Sequence, residues 1–183
     1  MQAPRETEIK LRVREVEGVR AALRGLGAQH VRERHFEDNV LFDDAAGSLR
    51  TLGNVLRLRR TPRGGLLTFK GPREMSAGVK SREERETAVA DPEALDGILR
   101  RLGYRPVFRY QKYRESWKHG GQAIEVDETP IGVFLEIEGD AQGIHAVATA
   151  LGYRPDDYVL ESYVGLFFAS GGTGDMVFAP GGA

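Results

Sequence analysis

Charged and apolar residues alternate along several segments of the chain. In the first segment Glu6, Glu8 and Lys10 occupy even positions, while Ile9 and Leu11 occupy odd positions. This period of two predicts a β-strand with one charged face and one apolar face. The same alternation recurs further on, and together the segments predict strands over residues 5–14, 29–43, 53–61, 65–71, 79–90, 105–118, 122–129 and 133–139.

Three other segments repeat their apolar residues every three or four positions, which is the spacing of an amphipathic helix. The first helix is predicted over residues 16–26, the second from Asp91-Pro92 to Gly103, and the third from Asp140 to Gly152. The two aspartates are suitable N-caps, and the glycines are suitable helix ends. Hairpin turns are predicted at 63–65 and 119–121, where glycines are paired.

Eight strands are enough to close a sheet around room for side chains or one small ligand. We therefore predict an α+β, mainly β fold: a closed eight-stranded antiparallel β-barrel with flanking helices. In such a barrel every second residue points inward. The charged parity would then line the interior, and it comprises Glu6, Glu8, Lys10, Arg57, Arg59, Lys70, Arg82, Glu84, Glu86, Lys112, Arg114, Asp127, Glu136 and Glu138.

Composition narrows the class of protein. A chain of 183 residues with 40% hydrophobic residues predicts one folded domain, assigned to residues 1–168, before a Gly-rich flexible tail at 169–183. The net charge of −1 argues against a nucleic-acid partner. Cysteine is absent, which excludes thiolate chemistry. With neither an apolar leader nor a membrane-spanning segment, we expect a cytoplasmic protein without a membrane partner. A homodimer is one possible assembly.

A charged interior needs partners, because an unpaired buried ion costs several kcal/mol. The basic residues favour a polyanion, and the acidic residues favour a hard divalent cation such as Mg²⁺ or Mn²⁺. A small-molecule triphosphate that carries metal would satisfy both groups. The alternative is a set of internal salt bridges between neighbouring strands, with no ligand at all.

The charged segments also resemble a known family. Glu6-x-Glu8-x-Lys10 is similar to the N-terminal ExExK signature of the CYTH family, the triphosphate tunnel metalloenzymes. Seven further elements follow in order over roughly residues 5–168: Asn54-Val-Leu-Arg57-Leu-Arg59, Leu67-Thr-Phe-Lys70-Gly-Pro72, Arg82-x-Glu84-x-Glu86, Lys112-x-Arg114, Val126-Asp127-Glu128, Phe134-Leu-Glu136-Ile-Glu138 and Glu161-Ser-Tyr163.

The resemblance implies an eight-stranded antiparallel tunnel and assigns roles within it. By resemblance, the metal ligands would be Glu6, Glu8, Asp127, Glu136 and Glu138. The phosphate contacts would be Lys10, Arg57, Arg59, Lys70, Lys112 and Arg114, with Arg82 as an addition. Lys70, Glu6 and Glu8 are the catalytic candidates, with Lys70 or a carboxylate helping as base. Some members have an aromatic hydroxyl in the strand near residue 40, whereas residues 39–43 of this chain contain no tyrosine.

The charged interior and the resemblance together imply three candidate functions. The first is metal-dependent hydrolysis of inorganic triphosphate, a nucleoside triphosphate or thiamine triphosphate. The second is a class IV adenylyl cyclase, which converts ATP to cyclic AMP and pyrophosphate in a tunnel of the same kind. The third is a polyphosphate- or nucleotide-binding module without catalysis, which the set of intact carboxylates disfavours.

Overall fold

The computed structural model describes residues 4–76 and 78–179. Within these residues the chain forms one sheet of ten strands. They are β1 Arg5–Val13, β2 Gln29–Asp43, β3 Val55–Thr61, β4 Gly64–Lys70, β5 Glu74–Ser76, β6 Val79–Val89, β7 Arg105–His119, β8 Gln122–Thr129, β9 Gly132–Glu138 and β10 Tyr158–Val159.

Eight of the strands close into an antiparallel barrel in the order β1-β9-β8-β7-β2-β3-β4-β6. Closure comes from β1, which pairs with β9 along one side and with β6 along the other, so that Glu8 faces Glu138 on β9 and Lys80 on β6. The short strands β5 and β10 add to the edges of β6 and β1. The predicted fold class and all eight predicted strands are confirmed.

In the described residues five α-helices accompany the barrel: α1 Val16–Gly25, α2 Ser48–Thr51, α3 Pro92–Arg101, α4 Ala141–Ala150 and α5 Tyr163–Ala169. The three predicted helices correspond to α1, α3 and α4, and the side chain of Asp91 caps α3 as expected by accepting hydrogen bonds from the backbone N–H groups of Glu93 and Ala94. Neither α2 nor α5 follows from the apolar spacing.

The odd-numbered residues of β1 face the outside of the barrel, where helices cover them. Ile9 and Leu11 are buried against α1 and α4 in the larger core cluster. On the other side, Leu58 of β3 and Phe42 of β2 pack with Leu99 of α3. The apolar core thus lies between barrel and helices, and the barrel interior is left to the charged residues.

Two hairpins show how backbone freedom and close packing set the turns. Gly120 and Gly121 both have positive φ, at 57° and 85°, which suits the two-residue turn between β7 and β8 that the sequence predicts. The other predicted turn is displaced, because Pro62 and Arg63 form it and Gly64 and Gly65 belong to β4. At Gly65 a Cβ would lie 2.6 Å from Pro92, so glycine lets α3 begin directly over β4.

The residues after α5 lie against β7. Met176 is fully buried and forms a parallel bridge with Tyr110, and the ring of Phe178 lies 5.3 Å from that of Tyr113. In the described part of the predicted tail, these residues therefore have fixed contacts. The domain boundary at residue 168 stays a prediction. Among residues 4–76 and 78–179, none of the helices is long and apolar enough to cross a membrane.

Replacing Leu58 with alanine tests this assignment of faces. Leu58 is fully buried between β3 and α3, so Leu58→Ala should lower the free energy of unfolding by about 2–5 kcal/mol. Leu102, just after α3, is 69% exposed, and Leu102→Ala should change it by less than about 0.5 kcal/mol. Urea unfolding of both variants gives the comparison. Equal, small losses would contradict the assignment.

Candidate functional site

The barrel encloses a cavity of about 930 Å³. Because side chains alternate along each strand, most of the predicted site residues lie on the wall of this cavity. The basic group and the acidic group therefore face the same cavity. They are Glu6, Glu8, Lys10, Arg57, Arg59, Lys70, Arg82, Lys112, Arg114, Glu136 and Glu138. Asp127 is the one predicted site residue that the structure does not bring to the wall.

Three lysines each lie between two carboxylates. Lys10 Nζ is 2.9 Å from Glu8 Oε1 and 3.2 Å from Glu136 Oε1. Lys70 Nζ is 2.7 Å from Glu6 Oε2 and 2.9 Å from Glu84 Oε2. The pairing offsets the cost of burying these ions.

The third lysine, Lys112, lies 2.8 Å from Asp127 Oδ2 and 3.7 Å from Glu37 Oε2. The effect of such pairing is visible at Lys10, where burial lowers the pKa but Glu8 and Glu136 outweigh it and raise the pKa above its usual value. Lys10 therefore stays charged.

Arg57 and Arg59 project from the same face of β3, as their spacing predicts. The guanidinium of Arg57 donates to Thr68 Oγ1 at 3.0 Å, to Glu86 Oε1 at 3.2 Å and to the Tyr110 hydroxyl at 3.3 Å. Arg59 donates to Asn39 and Glu37 on β2, both at 3.0 Å. Both forks are thus held in fixed orientations, a favourable arrangement for gripping phosphate oxygens.

Glu138 differs from the other wall carboxylates. Among the described residues its side chain makes no hydrogen bond or ion pair, and β-sheet pairing sets it beside Glu8. Burial raises the pKa of Glu138 to about 7, and the negative charges of Glu6 and Glu8 add to the rise. The oxygens of Glu138, Glu6 and Glu8 are donors of the kind that a hard divalent cation prefers.

Metal binding at this place would require rearrangement of the lysines. Among the described residues no three acidic or histidine side chains converge as metal ligands. Glu6 is held by Lys70, and Glu8 is held by Lys10 and by Lys80. Carboxylate oxygens are suitable ligands for Mg²⁺ or Mn²⁺. In this structure, however, the oxygens of Glu6 and Glu8 form ion pairs with lysines instead.

Asp127 lies behind the wall and is fully buried. Its Oδ1 accepts from Arg114 Nε at 2.7 Å, and its Oδ2 accepts from Arg114 Nη2 at 2.6 Å, from Lys112 at 2.8 Å and from the Tyr163 hydroxyl at 2.7 Å. With both oxygens engaged, Asp127 orients two cavity cations and fixes α5. Its assignment as a metal ligand stays a prediction from resemblance.

Several wall residues were missed by the sequence prediction. Lys80 has the same strand parity as Arg82, so the alternation could have revealed it. Tyr110 has the parity of Lys112 and brings an aromatic hydroxyl into the cavity from β7, directly across from Asn39 of β2. Tyr163 comes from α5; the resemblance includes it in the element Glu161-Ser-Tyr163, but no role in the site was predicted for it.

The pKa of Glu138 generates a prediction about stability. Because its folded-state pKa is raised above the ordinary 4.5, this residue makes the protein less stable as pH rises from about 4.5 to about 7. Glu138→Gln should therefore raise the melting temperature at about pH 8, and the gain should shrink at about pH 5, where the folded protein already holds the proton. Thermal melts of metal-free protein at both pH values test this. An equal gain at both would refute it.

The contacts of Asp127 generate a second prediction. Asp127→Asn removes the buried negative charge that pairs with Lys112 and Arg114. The free energy of unfolding should therefore fall by about 3–5 kcal/mol. Glu128→Gln is the matched control, since its pair with Arg34 is partly exposed and worth at most about 1 kcal/mol. Urea titration measures both. Unchanged stability of Asp127→Asn with loss of metal binding would instead identify Asp127 as a ligand.

The sequence of this chain is similar to a known protein family and to a named relative. The family model for the CYTH domain matches residues 4–154. A protein of Methanocaldococcus jannaschii named as a putative adenylate cyclase is 27% identical over 172 residues, covering 88% of this chain and 97% of its own length.

Two solved structures share the fold. A putative adenylate cyclase from Vibrio parahaemolyticus superposes with a TM-score of 0.80 at 22% identity, covering 91% of this chain and 99% of the other. A putative adenylyl cyclase from Hippeastrum, described as having a dominant triphosphatase activity, gives a TM-score of 0.67 at 22% identity, covering 92% and 97%.

Proposed function

We propose that this chain, which belongs to the CYTH domain family, hydrolyses the terminal phosphoanhydride bond of a triphosphate-bearing small molecule with the help of Mg²⁺ or Mn²⁺. The observation that carries the proposal is the cavity wall, where fixed cations lie beside a group of carboxylates inside one closed barrel. The triphosphatase activity described for the Hippeastrum protein supports hydrolysis as the reaction.

Substrate binding would exchange one set of partners for another. Lys10, Lys70 and Lys112 each form ion pairs with carboxylates in the described structure. A triphosphate offers oxygens of higher charge, so these ammonium groups would turn to it, and the forks of Arg57 and Arg59 would serve its neighbouring phosphoryl groups.

The same exchange frees carboxylates. Once Lys10 and Lys70 contact phosphate, Glu6 is released from Lys70 and Glu8 keeps only Lys80, on the wall that also carries Glu136 and Glu138. These four carboxylates would hold the metal, which when bound neutralises phosphate charge and orients the attacking water. Substrate and metal would thus favour each other's binding.

For the chemical step we assign roles to Glu6, Lys70 and the arginines. The oxygen of a water forms a bond to the terminal phosphorus as the bridging P–O bond breaks, and the shortened phosphate chain leaves with the bonding electrons. Glu6 accepts the proton from water, and Lys70 beside it contacts the phosphoryl group in transfer. Arg57 and Arg59 compensate the negative charge of the leaving group.

A second candidate is adenylyl cyclase, which the naming of the Methanocaldococcus and Vibrio proteins supports. In that reaction the ribose 3′-hydroxyl attacks the α-phosphorus and pyrophosphate leaves. The two reactions need the same cations and carboxylates and differ in which phosphorus lies at the metal. A binding module without catalysis is the third candidate.

A product assay separates these candidates. With Mg²⁺ or Mn²⁺ and each triphosphate in turn, hydrolysis releases phosphate and cyclisation releases cyclic nucleotide and pyrophosphate. We expect phosphate, and we expect Glu6→Gln, Glu136→Gln and Glu138→Gln each to lower turnover at least about a hundredfold, since each loses a charged oxygen donor. Cyclic nucleotide as the main product would favour the cyclase instead.

A stability measurement serves as the control for this assay. Tripolyphosphate should raise the melting temperature of the wild-type protein, because it binds only the folded form. Glu33→Gln, at a 91% exposed side chain outside the cavity, should match the wild type in both measurements. No release of any product, together with a melting-temperature rise, would favour the binding module. No rise with any polyphosphate would overturn the proposal.

A further inference from the structure

Tyr110 brings a hydroxyl group with an unused hydrogen-bond donor to the cavity wall. It projects from β7 into the cavity, and its hydroxyl oxygen accepts a hydrogen bond from Arg57 Nη1 at 3.3 Å. In the described part of the chain this hydroxyl donates to no acceptor. Because a phenol carries one donor besides its acceptor sites, the hydroxyl proton of Tyr110 is available to a molecule that enters the cavity.

The hydroxyl lies among the cations that would hold phosphates. Arg57 contacts it directly, and Lys112 follows it on the inward face of β7, roughly 7 Å further along the strand. Sheet pairing sets Tyr110 across from Asn39, which is itself across from Arg59. The side-chain oxygen of Asn39 accepts from Arg59 Nε at 3.0 Å. A phosphate oxygen held by Arg57 would therefore also lie within reach of the Tyr110 hydroxyl.

Tyr110 is held in place from several directions. It is only 7% exposed, and its side chain packs in a core cluster with Phe108 and Met176. Met176 also binds the backbone on either side: its N–H donates to the Arg109 carbonyl at 3.0 Å, and its carbonyl accepts from the Gln111 N–H at 2.9 Å. A donor that is fixed before a ligand arrives loses little freedom on binding. The segment after α5 thus contributes to the order of the cavity wall.

The neighbouring cations make this hydroxyl a stronger donor. Burial by itself raises the pKa of Tyr110, but the charges of Arg57, Lys112 and Arg59 outweigh burial and hold the pKa below its ordinary value of 10. A more acidic O–H donates a stronger hydrogen bond to an anionic oxygen. The benefit is greatest where negative charge grows during a reaction, because only interactions that strengthen toward the transition state lower the barrier.

We propose that Tyr110 is a further catalytic residue, whose hydroxyl donates a hydrogen bond to the leaving oxygen of the phosphate chain. This inference rests on the proposed function, in which Arg57 lies at the leaving group. As the P–O bond to that oxygen breaks, the oxygen keeps the bonding electrons, and Arg57 and the Tyr110 hydroxyl together stabilise its charge. The proton stays on Tyr110 throughout, and the leaving phosphate departs as an anion.

Replacing Tyr110 with phenylalanine tests the inference, because the change removes the hydroxyl and keeps the ring in the core. Turnover is measured with Mg²⁺ or Mn²⁺ on whichever of tripolyphosphate and ATP the wild type converts faster. Calorimetric titration with tripolyphosphate measures affinity. We expect Tyr110→Phe to lower kcat at least about tenfold and to weaken tripolyphosphate binding less than about threefold, since the hydrogen bond strengthens as charge develops on the leaving oxygen.

Tyr113→Phe is the matched control. It makes the same chemical change on the same strand but on the opposite face, where the Arg34 guanidinium lies 3.6 Å from the ring centre and outside the cavity lining. This variant should keep the wild-type kcat and affinity. Melting curves of both variants verify that the fold is retained.

A double variant distinguishes contact with the substrate from positioning of Arg57. If Tyr110 served only to orient Arg57, Tyr110→Phe would change nothing further in Arg57→Gln protein. We expect a further loss of kcat of at least about threefold in the double variant. Equal kcat in the single Arg57→Gln variant and the double variant would show that Tyr110 acts through Arg57 alone, and the proposed contact would be wrong.

The remaining outcomes separate the two proposals. A wild-type kcat in Tyr110→Phe, or an equal loss in Tyr113→Phe, overturns the role of Tyr110 and leaves the proposed function standing. Cyclic nucleotide as the main product overturns the proposed function, and a loss of that turnover in Tyr110→Phe, absent from Tyr113→Phe, supports the contact with the leaving oxygen. Absence of both tripolyphosphate and ATP binding by the wild type overturns both proposals.

Discussion

Pairing of buried opposite charges is the constraint on which this structure depends. A closed barrel that turns its charged residues inward must neutralise them there, because an isolated ion in such a place costs several kcal/mol. The chain meets this constraint with three lysines, each of which lies between two carboxylates that come from two different strands: Lys10, Lys70 and Lys112. The wall is thus stable by itself and also ready to exchange carboxylates for phosphates, which links the stability of the fold to its proposed chemistry.

The outer and inner faces of the barrel fix each other's register. A slip of one residue in a strand would exchange its faces, burying Leu11 among the ions and exposing Lys10 to the apolar helices. The same holds for neighbouring residues on β9: Glu136 is buried on the inner face of the barrel, and Leu135 is buried on the outer face, in the apolar core. The site and the hydrophobic core are therefore two consequences of one alternation, and neither can change register alone.

That alternation explains how much could be predicted. The eight barrel strands, the inward parity and the helices α1, α3 and α4 follow from local periodicity. The strands β5 and β10 are only three and two residues long, too short for a period to register. Asp127 shows the other limit: strand parity predicts that it faces inward, but its retreat behind Lys112 depends on Tyr163, which is 36 residues away in the chain. Contacts of that kind are tertiary and leave no local pattern.

The closure of β1 against β9 also sets the order in which the protein can be completed on the ribosome. β1 is finished at Val13, but β9 begins at Gly132, which at about 5–20 residues per second is made roughly 6–24 s later. During that interval the apolar side of β1 has no sheet partner from β9. Helix α1 follows β1 at once, and its Val19 and Leu23 belong to the same core cluster as Ile9 and Leu11. The first helix can therefore shelter the first strand from aggregation while the rest of the barrel is synthesised.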